Sequence, residues 1–284
     1  MPERPSPPTP LPAPPSPPRE RGDRRVWRPS PLVLASLGLH AAGAVALALA
    51  PRRWPWIAGA LFADHVVLTA AGLWPQSPWL GANLTRLSAA AAERGEVALT
   101  FDDGPDPEAT PGVLDLLDRW GARASFFLIG RRAAARPDLA AEIVRRGHRV
   151  ENHTWSHPAA FCCYPAAAQR REIARAQEAI ARAAGSTPAW FRAPAGRRNP
   201  QLDRELCASG LHLAAWTRRG YDTVERRPAR VARRLLRGLA GGDILLLHDG
   251  SAARGGQGRP VVLDALPRIL EAAAERGLRL VPLP

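Results

Sequence analysis

Four short polar runs in this chain hold the residue types that hydrolysis needs. They are Asp102-Asp103-Gly104-Pro105-Asp106, His153-Thr154-Trp155-Ser156-His157, Arg192-Ala193-Pro194-Ala195-Gly196 and His248-Asp249-Gly250. His153, His157 and one of the adjacent carboxylates make a two-histidine, one-carboxylate donor set that leaves a tetrahedral metal an open position. A metal so held brings the pKa of bound water towards about 7 and polarises a carbonyl oxygen. Neighbouring side chains at a strand end point in different directions. One of Asp102 and Asp103 can therefore bind metal while the other accepts a proton from water. His248, arriving from another segment, is placed to protonate a departing amine. Together these groups suffice to hydrolyse an amide or an ester. Each run alone has a plainer explanation: Asp-Asp-Gly-Pro is a good turn sequence, and Arg192 could serve an ordinary ion pair.

The argument for a site is that all four runs have the same setting. From about Glu96, short apolar runs alternate with Ala/Arg/Glu-rich helical stretches. The pattern predicts strands at 97–101, 124–129, 149–152, 189–192, 211–216, 243–247 and 278–282. Helices are expected at 111–120, 137–146, 165–184, 200–209, 228–239 and 260–276. Pro111, Pro200, Pro228 and Pro260 open helices where a missing N–H costs nothing. Seven strands in alternation with helices imply parallel pairing through right-handed crossovers, hence an open α/β sheet or a barrel one strand short of eight. In such folds sites gather beyond the C-terminal ends of the strands. Each of the four runs follows a predicted strand.

The N-terminal third reads differently. Residues 1–30 are Pro-rich and polar with a basic run from Arg19 to Arg28, a composition that does not fold. Residues 31–50 are continuously apolar apart from Ser36 and His40, matching the roughly 20 residues a helix needs to cross a bilayer. A second run, 56–74, contains Asp64 and His65 and is bracketed by Trp54, Trp56, Trp74 and Trp79, like an interfacial aromatic belt. A carboxylate at mid-bilayer costs about 3 kcal/mol. An interfacial or packed helix is therefore the alternative for this second run. The membrane region thus covers 31–75, residues 76–95 link it onward, and 96–284 form the soluble domain. The basic run before the first span argues for a cytoplasmic N-terminus; one span would leave the domain outside, and two would return it.

The net charge of +13 comes from 39 basic residues, every one an arginine. They are scattered and not interleaved with aromatics, so no nucleic-acid partner is expected. Attraction to anionic headgroups or acidic glycans is the milder inference. The cysteines Cys162, Cys163 and Cys207 are odd in number and lack a zinc-binding spacing.

The motifs resemble those of the polysaccharide deacetylases, the nodulation-type chitooligosaccharide deacetylase domain of carbohydrate esterase family four. The resemblance runs from about Glu96 to Pro284. Thr100-Phe101-Asp102-Asp103-Gly104-Pro105-Asp106 is similar to the first family motif, which implies Asp102 as general base and Asp103 as metal ligand. The run from Glu151 to Pro158 resembles the second and implies His153 and His157 as the metal histidines. Phe191-Arg192-Ala193-Pro194-Ala195-Gly196 resembles the third, in which Arg192 orients the base and the Ala195 N–H helps hold an oxyanion. Trp216 to Thr223 resembles the fourth less closely, with Asp222 holding the catalytic histidine and Trp216 among the substrate residues. Leu245 to Gly250 resembles the fifth, with Leu246 facing the acetyl methyl and His248 as general acid.

The resemblance implies a distorted (β/α) barrel and a divalent metal, Zn²⁺ first and Co²⁺ or Ni²⁺ as alternatives. The implied substrate is an acetylated glycan or glycolipid, and the implied place is a bacterial inner (plasma) membrane with either side open to the catalytic domain. Ala195 stands where many members carry an aromatic, and Thr223 replaces a Trp. Both remove walls on which sugar rings stack, which favours a short or lipid-linked amino sugar as much as a long polymer. An O-acetyl esterase with the same centre is the alternative enzyme, and a non-catalytic membrane-anchored glycan-binding protein the alternative from another class.

Overall fold

The computed structural model describes residues 26–256 and 258–284. Of the N-terminal segment expected to be disordered, residues 1–25 lie outside the described residues. Two apolar helices come first, α1 (Pro31–Leu49) and α2 (Trp54–Leu73), followed by the short α3 (Ala89–Glu93). The domain then runs β1 (Glu96–Asp102), α4 (Thr110–Arg119), β2 (Ser125–Leu128), α5 (Gly130–Ala135), α6 (Pro137–Arg145), β3 (Arg149–Asn152) and α7 (Ala166–Ala184). It continues with β4 (Trp190–Phe191), α8 (Leu202–Ala208), β5 (His212–Leu213), β6 (Arg218–Arg219) and α9 (Pro228–Leu236). The last elements are β7 (Ile244–His248), α10 (Val261–Glu275) and β8 (Arg279–Val281).

Seven strands lie side by side in the order β5-β4-β3-β2-β1-β7-β6, and every pairing between them is parallel. β8 pairs in parallel with the first half of β1, which β2 leaves free. This is the curled, incompletely closed (β/α) barrel that the resemblance implies; the alternation of elements left an open sheet as the alternative. The strand β6 was not expected: two consecutive arginines carry no apolar signal, and backbone pairing with β7 alone defines them as a strand. The helix α5 was also unforeseen, being a single short turn-and-a-half between β2 and α6.

Strand alternation sorts the side chains into two layers. Val97, Leu99 and Phe101 of β1 pack outward under the helices with Leu245 and Leu247 of β7. Ala98 and Ile244 face inward, with Leu246, Phe127, Trp216 and Leu283. The same parity puts Asp102 at the end of the inward row of β1 and His248 at the end of the inward row of β7.

α1 and α2 are each long and apolar enough to cross a membrane, and little of either is buried within the protein. Ser30 caps α1 by accepting from the Val33 N–H, and Gly43 lets the helices approach, since a Cβ there would lie 3.3 Å from Ile57. Midway along the pair, Ser36 Oγ donates to Asp64 Oδ2 at 2.7 Å, and His40 stands 3.9 Å from the same oxygen. Ser36 and Asp64 thus pair across the hairpin, while His40 and His65 bond the carbonyls of Ser36 and Leu61 in their own helices, which is how ionisable groups persist in an apolar surround.

The stretch 76–95, expected to be a linker, is folded onto the barrel. Leu84 forms a parallel bridge with Ala214 beside β5, and the Leu87 N–H reaches Gly242 O at the entry to β7. Thr217 Oγ1 donates to Thr85 O at 2.7 Å. The segment therefore spans the seam between the edge strands β5 and β6 that the seven strands leave open. Leu87 and Ala91 are buried there, and Leu80 is buried beside Gly72 at the end of α2. Arg198, itself buried, donates to Ser77 O, and its backbone N–H bonds Gly72 O, tying the end of α2 to the domain. Because Leu80 is only 1 % exposed, Leu80→Ala is expected to cost about 2–5 kcal/mol. A lowered midpoint in chemical denaturation would show it; a loose linker would respond by less than about 0.5 kcal/mol.

Candidate active site

Asp102 continues the inward row of β1, but alternation alone would send Asp103 to the helical face. Its backbone takes a left-handed conformation (φ 74°), which returns the side chain to the barrel mouth. Among the described residues, five that are not glycine have positive φ: Asp103, Thr154, His157, Ala195 and Tyr221. All lie in the loops that carry the sequence motifs. Such conformations cost of order 1–3 kcal/mol each and persist only where the surroundings fix them.

The outcome is a compact donor set. One ligand atom from each of Asp103, His153 and His157 lies within 4.8 Å of the others. Asp103 Oδ1 stands 3.4 Å from the Nε2 of both histidines. That oxygen is buried and has no hydrogen-bond partner. A buried carboxylate oxygen with two imidazole nitrogens aimed at the same point fits a divalent cation, which would replace the missing partner. His153 Nδ1 is 2.8 Å from Arg192 O, which leaves Nε2 for the cation. Burial works to raise the Asp103 carboxyl, but His153, then His248 and His157, hold it well below the usual carboxylate range. A second group of potential ligands, His40, Asp64 and His65, lies in the apolar hairpin.

Asp102 faces the donor set from the side, with Oδ2 3.8 Å from His153 Nε2. Its other oxygen accepts from Arg192 Nη1 at 2.6 Å. The guanidinium of Arg192 is almost completely buried and is satisfied on every edge: Thr100 Oγ1 at 2.9 Å, Ala215 O at 2.8 Å and Ala214 O at 3.2 Å. It also lies 4.0 Å over the Phe127 ring. Opposite, His248 Nδ1 is 2.9 Å from Asp222 Oδ1, while Asp222 Oδ2 accepts the His248 backbone N–H at 2.7 Å. Burial favours neutral His248, but the Asp222 contact and the charges of Asp102 and Asp103 outweigh it and raise its pKa. His248 therefore holds a proton more readily than a free imidazole.

A cavity of about 140 Å³ joins these groups to Ala195, Trp216, Arg219, Thr223 and Leu246. Pockets that enclose a whole drug-sized ligand run to roughly 300–1,000 Å³, so this one has room for a substituent and not for a whole ligand of that size. All ten residues singled out from the sequence are in or directly behind this cavity. Arg192 and Asp222 are the two behind it.

Other residues have roles that the sequence did not disclose. Arg132 Nη1 donates to Asp103 O at 2.8 Å and to Gly250 O at 2.7 Å, clamping the loops after β1 and β7 together. Asp249 Oδ2 accepts from Thr110 Oγ1 at 2.6 Å, and burial pushes the Asp249 carboxyl up to about 7. Glu172 on α7 accepts from both the backbone N–H and the hydroxyl of Ser156, at 2.9 Å each, and so fixes the turn that presents His157. No motif marks Glu172, because its partner is on another element. Glu172→Ala is expected to weaken divalent-metal affinity about 10- to 100-fold, the range for partners that orient ligands, as read by competition with a chromogenic chelator.

The comparisons with known proteins agree with this geometry. The family described as polysaccharide deacetylase matches residues 89–214. A chitooligosaccharide deacetylase of Bradyrhizobium is 34% identical over 195 residues, 66% of this chain and 89% of that protein. A peptidoglycan-N-acetylglucosamine deacetylase of Listeria monocytogenes is 35% identical over 153 residues, 54% of this chain and only 32% of that longer protein. A family 4 carbohydrate esterase from Streptomyces lividans, solved in complex with acetate, superposes with a TM-score of 0.60 at 35% identity. The match covers 66% of this chain and 91% of that one. The chain belongs to the polysaccharide deacetylase family, carbohydrate esterase family four. It is accordingly a hydrolase acting on carbon–nitrogen bonds other than peptide bonds.

Proposed function

We propose that this chain is a membrane-attached, metal-dependent N-deacetylase acting on N-acetylglucosamine-type sugars of an oligosaccharide, polysaccharide or lipid-linked glycan. The observation that carries the reading is the orphaned, buried Asp103 Oδ1 facing the Nε2 atoms of His153 and His157. It lies beside a second, separately held carboxylate and an acid-supported histidine.

Asp103, His153 and His157 would hold the cation, Zn²⁺ in the first place and Co²⁺ or Ni²⁺ as alternatives. When bound it supplies Lewis acidity, polarising the acetamide carbonyl and acidifying water. Asp102 takes the proton from the attacking water, and Arg192 keeps Asp102 oriented through the 2.6 Å contact. The Ala195 backbone, left-handed at the cavity wall, offers its N–H to the developing oxyanion. Leu246 and Trp216 give the acetyl methyl an apolar surface. His248 donates a proton to the departing amine, with Asp222 fixing its Nδ1 edge and favouring its charged form. Acetate and a free amino sugar are the products.

The hairpin of α1 and α2 supports attachment to a bacterial inner membrane. Its two ends, Ser30 and Gly72, both join the domain, through Trp79 O and Arg198 respectively. As two spans, the hairpin returns the domain to the side of the N-terminus, and the basic residues preceding α1 favour the cytoplasmic side. The O-acetyl esterase reading rests on the same groups; the well-supported acid His248 favours the amide, whose amine leaves only when protonated.

The test is acetate release from short N-acetylglucosamine oligomers by the detergent-solubilised chain, with Zn²⁺ or with chelator. Zinc-dependent acetate is expected. Asp102→Asn should keep stoichiometric zinc while turnover falls by about 10²–10⁴-fold, the usual contribution of a general base. His157→Ala should lose the metal itself. A zinc-loaded Asp102→Asn protein turning over near the wild-type rate would overturn the assignment of the base.

A further inference from the structure

One charge at the catalytic cavity has no part in the chemistry above. Arg219 belongs to β6 and is in register with Leu246 of β7, so its side chain lies on the inward face beside the residue that lines the acetyl site. Its neighbour Arg218, in register with outward-facing Leu245, is paired with Asp243 at 2.5 Å. Arg219 is different. It lines the cavity, its Nε is buried without a hydrogen-bond partner, and no carboxylate lies within 4.0 Å of it among the described residues.

The guanidinium instead rests on aromatic faces, 5.5 Å from the Trp216 ring and 5.1 Å from the Tyr221 ring. Arg192 approaches the same Trp216 ring at 5.9 Å, but its charge is neutralised by Asp102. Aromatic faces orient a cation and reduce the cost of its partial burial, yet they leave its fork of donors unused. A planar guanidinium with free donors at a pocket wall is a receptor for an oxyanion, phosphate or carboxylate.

We propose that Arg219 makes this cavity selective for an anionic amino sugar, one bearing a phosphate or carboxylate next to the acetamido-carrying ring. The inference rests on the deacetylase reading for the sugar but not for the charge. The placement of the pocket bears on the source of the anion. Its lip abuts the first residues beyond α2: a Cβ on Gly196 would lie 2.7 Å from Pro75, and Gln76 Nε2 donates to Trp216 O at 2.7 Å. A sugar joined through phosphate to a membrane lipid therefore meets the pocket at the membrane surface. A wall-type disaccharide carrying a lactyl carboxylate is the other source of the same chemistry.

The experiment measures binding and turnover on the zinc-loaded full chain in detergent. Calorimetry compares glucosamine, glucosamine 1-phosphate and a glucosamine–muramic acid disaccharide, none of which has an acetyl group on the glucosamine to hydrolyse. At least one anionic ligand should bind tenfold or more tightly than glucosamine, the phosphate arm identifying a lipid-linked source and the carboxylate arm a wall source. Arg219→Gln should bring that ratio to within about twofold, and Arg219→Lys, which keeps the charge but not the fork, should retain part of it. The kcat/KM ratio for anionic over neutral N-acetylated substrates should fall in parallel, through KM. Equal binding of all three ligands, or a preference that Arg219→Gln leaves unmoved, overturns the proposal even if acetate is released. Anion preference that depends on Arg219 without acetate from any substrate supports the receptor and overturns the deacetylase reading beneath it.

Discussion

The site depends on one buried charge being fully compensated. Arg192 is the largest side chain that the barrel buries completely, and an unpaired guanidinium there would cost several kcal/mol. It is held by Asp102 and Thr100 from β1 and by the carbonyls of Ala214 and Ala215 beyond β5. Its own carbonyl faces Nδ1 of His153. One residue therefore sets the orientation of Asp102, the ring orientation of His153 and the spacing between distant strands. Removing either partner of the Arg192–Asp102 pair strands a charge in the interior, which ties the integrity of the barrel mouth to the chemistry performed there.

A second constraint is the open seam. Seven parallel strands of very unequal length do not close, and β4, β5 and β6 contribute only two residues each. The gap is filled by the segment after α2, so the same residues that complete the barrel also connect it to the apolar hairpin. The cavity mouth and the apolar hairpin are consequently not independent. Pro75 packs against Gly196 at the pocket lip, and Gly196 has no room for a side chain because Trp216 lies 2.6 Å from where its Cβ would be. The absence of a side chain at Gly196, beside Ala195 in the cavity wall, follows from that packing.

Much of the site was legible in the sequence because the chemistry sits in contiguous runs at strand ends. Alternation puts Asp102 on one face of β1, and Leu246 with His248 on one face of β7, but both runs are apolar and buried throughout, so which face turns inward was left to the packing. The type of each residue fixes its possible work: two histidines with a carboxylate read as metal donors and a further histidine as an acid, whereas Asp222 as its support was implied only by the family resemblance. The alternation of parallel strands with helices was likewise legible, helped by proline and glycine at the helix ends, Gly185 being the left-handed cap of α7; its curling into a barrel was not.

Features that depend on contacts remote in sequence were decided only by the tertiary structure. Asp103 enters the site through a left-handed backbone that no strand pattern announces, stabilised by Arg132 reaching across from α5. Residues 76–95 have the composition of a linker, and only the unclosed seam beside them makes them part of the barrel. Glu172 and Asp249 act through partners sixteen and more residues away. Arg219 looks like one of 39 scattered arginines, and register with Leu246 alone turns it inward. Local periodicity and residue chemistry determine elements and their faces; which faces meet, and which charges remain uncompensated, is settled by long-range packing and desolvation.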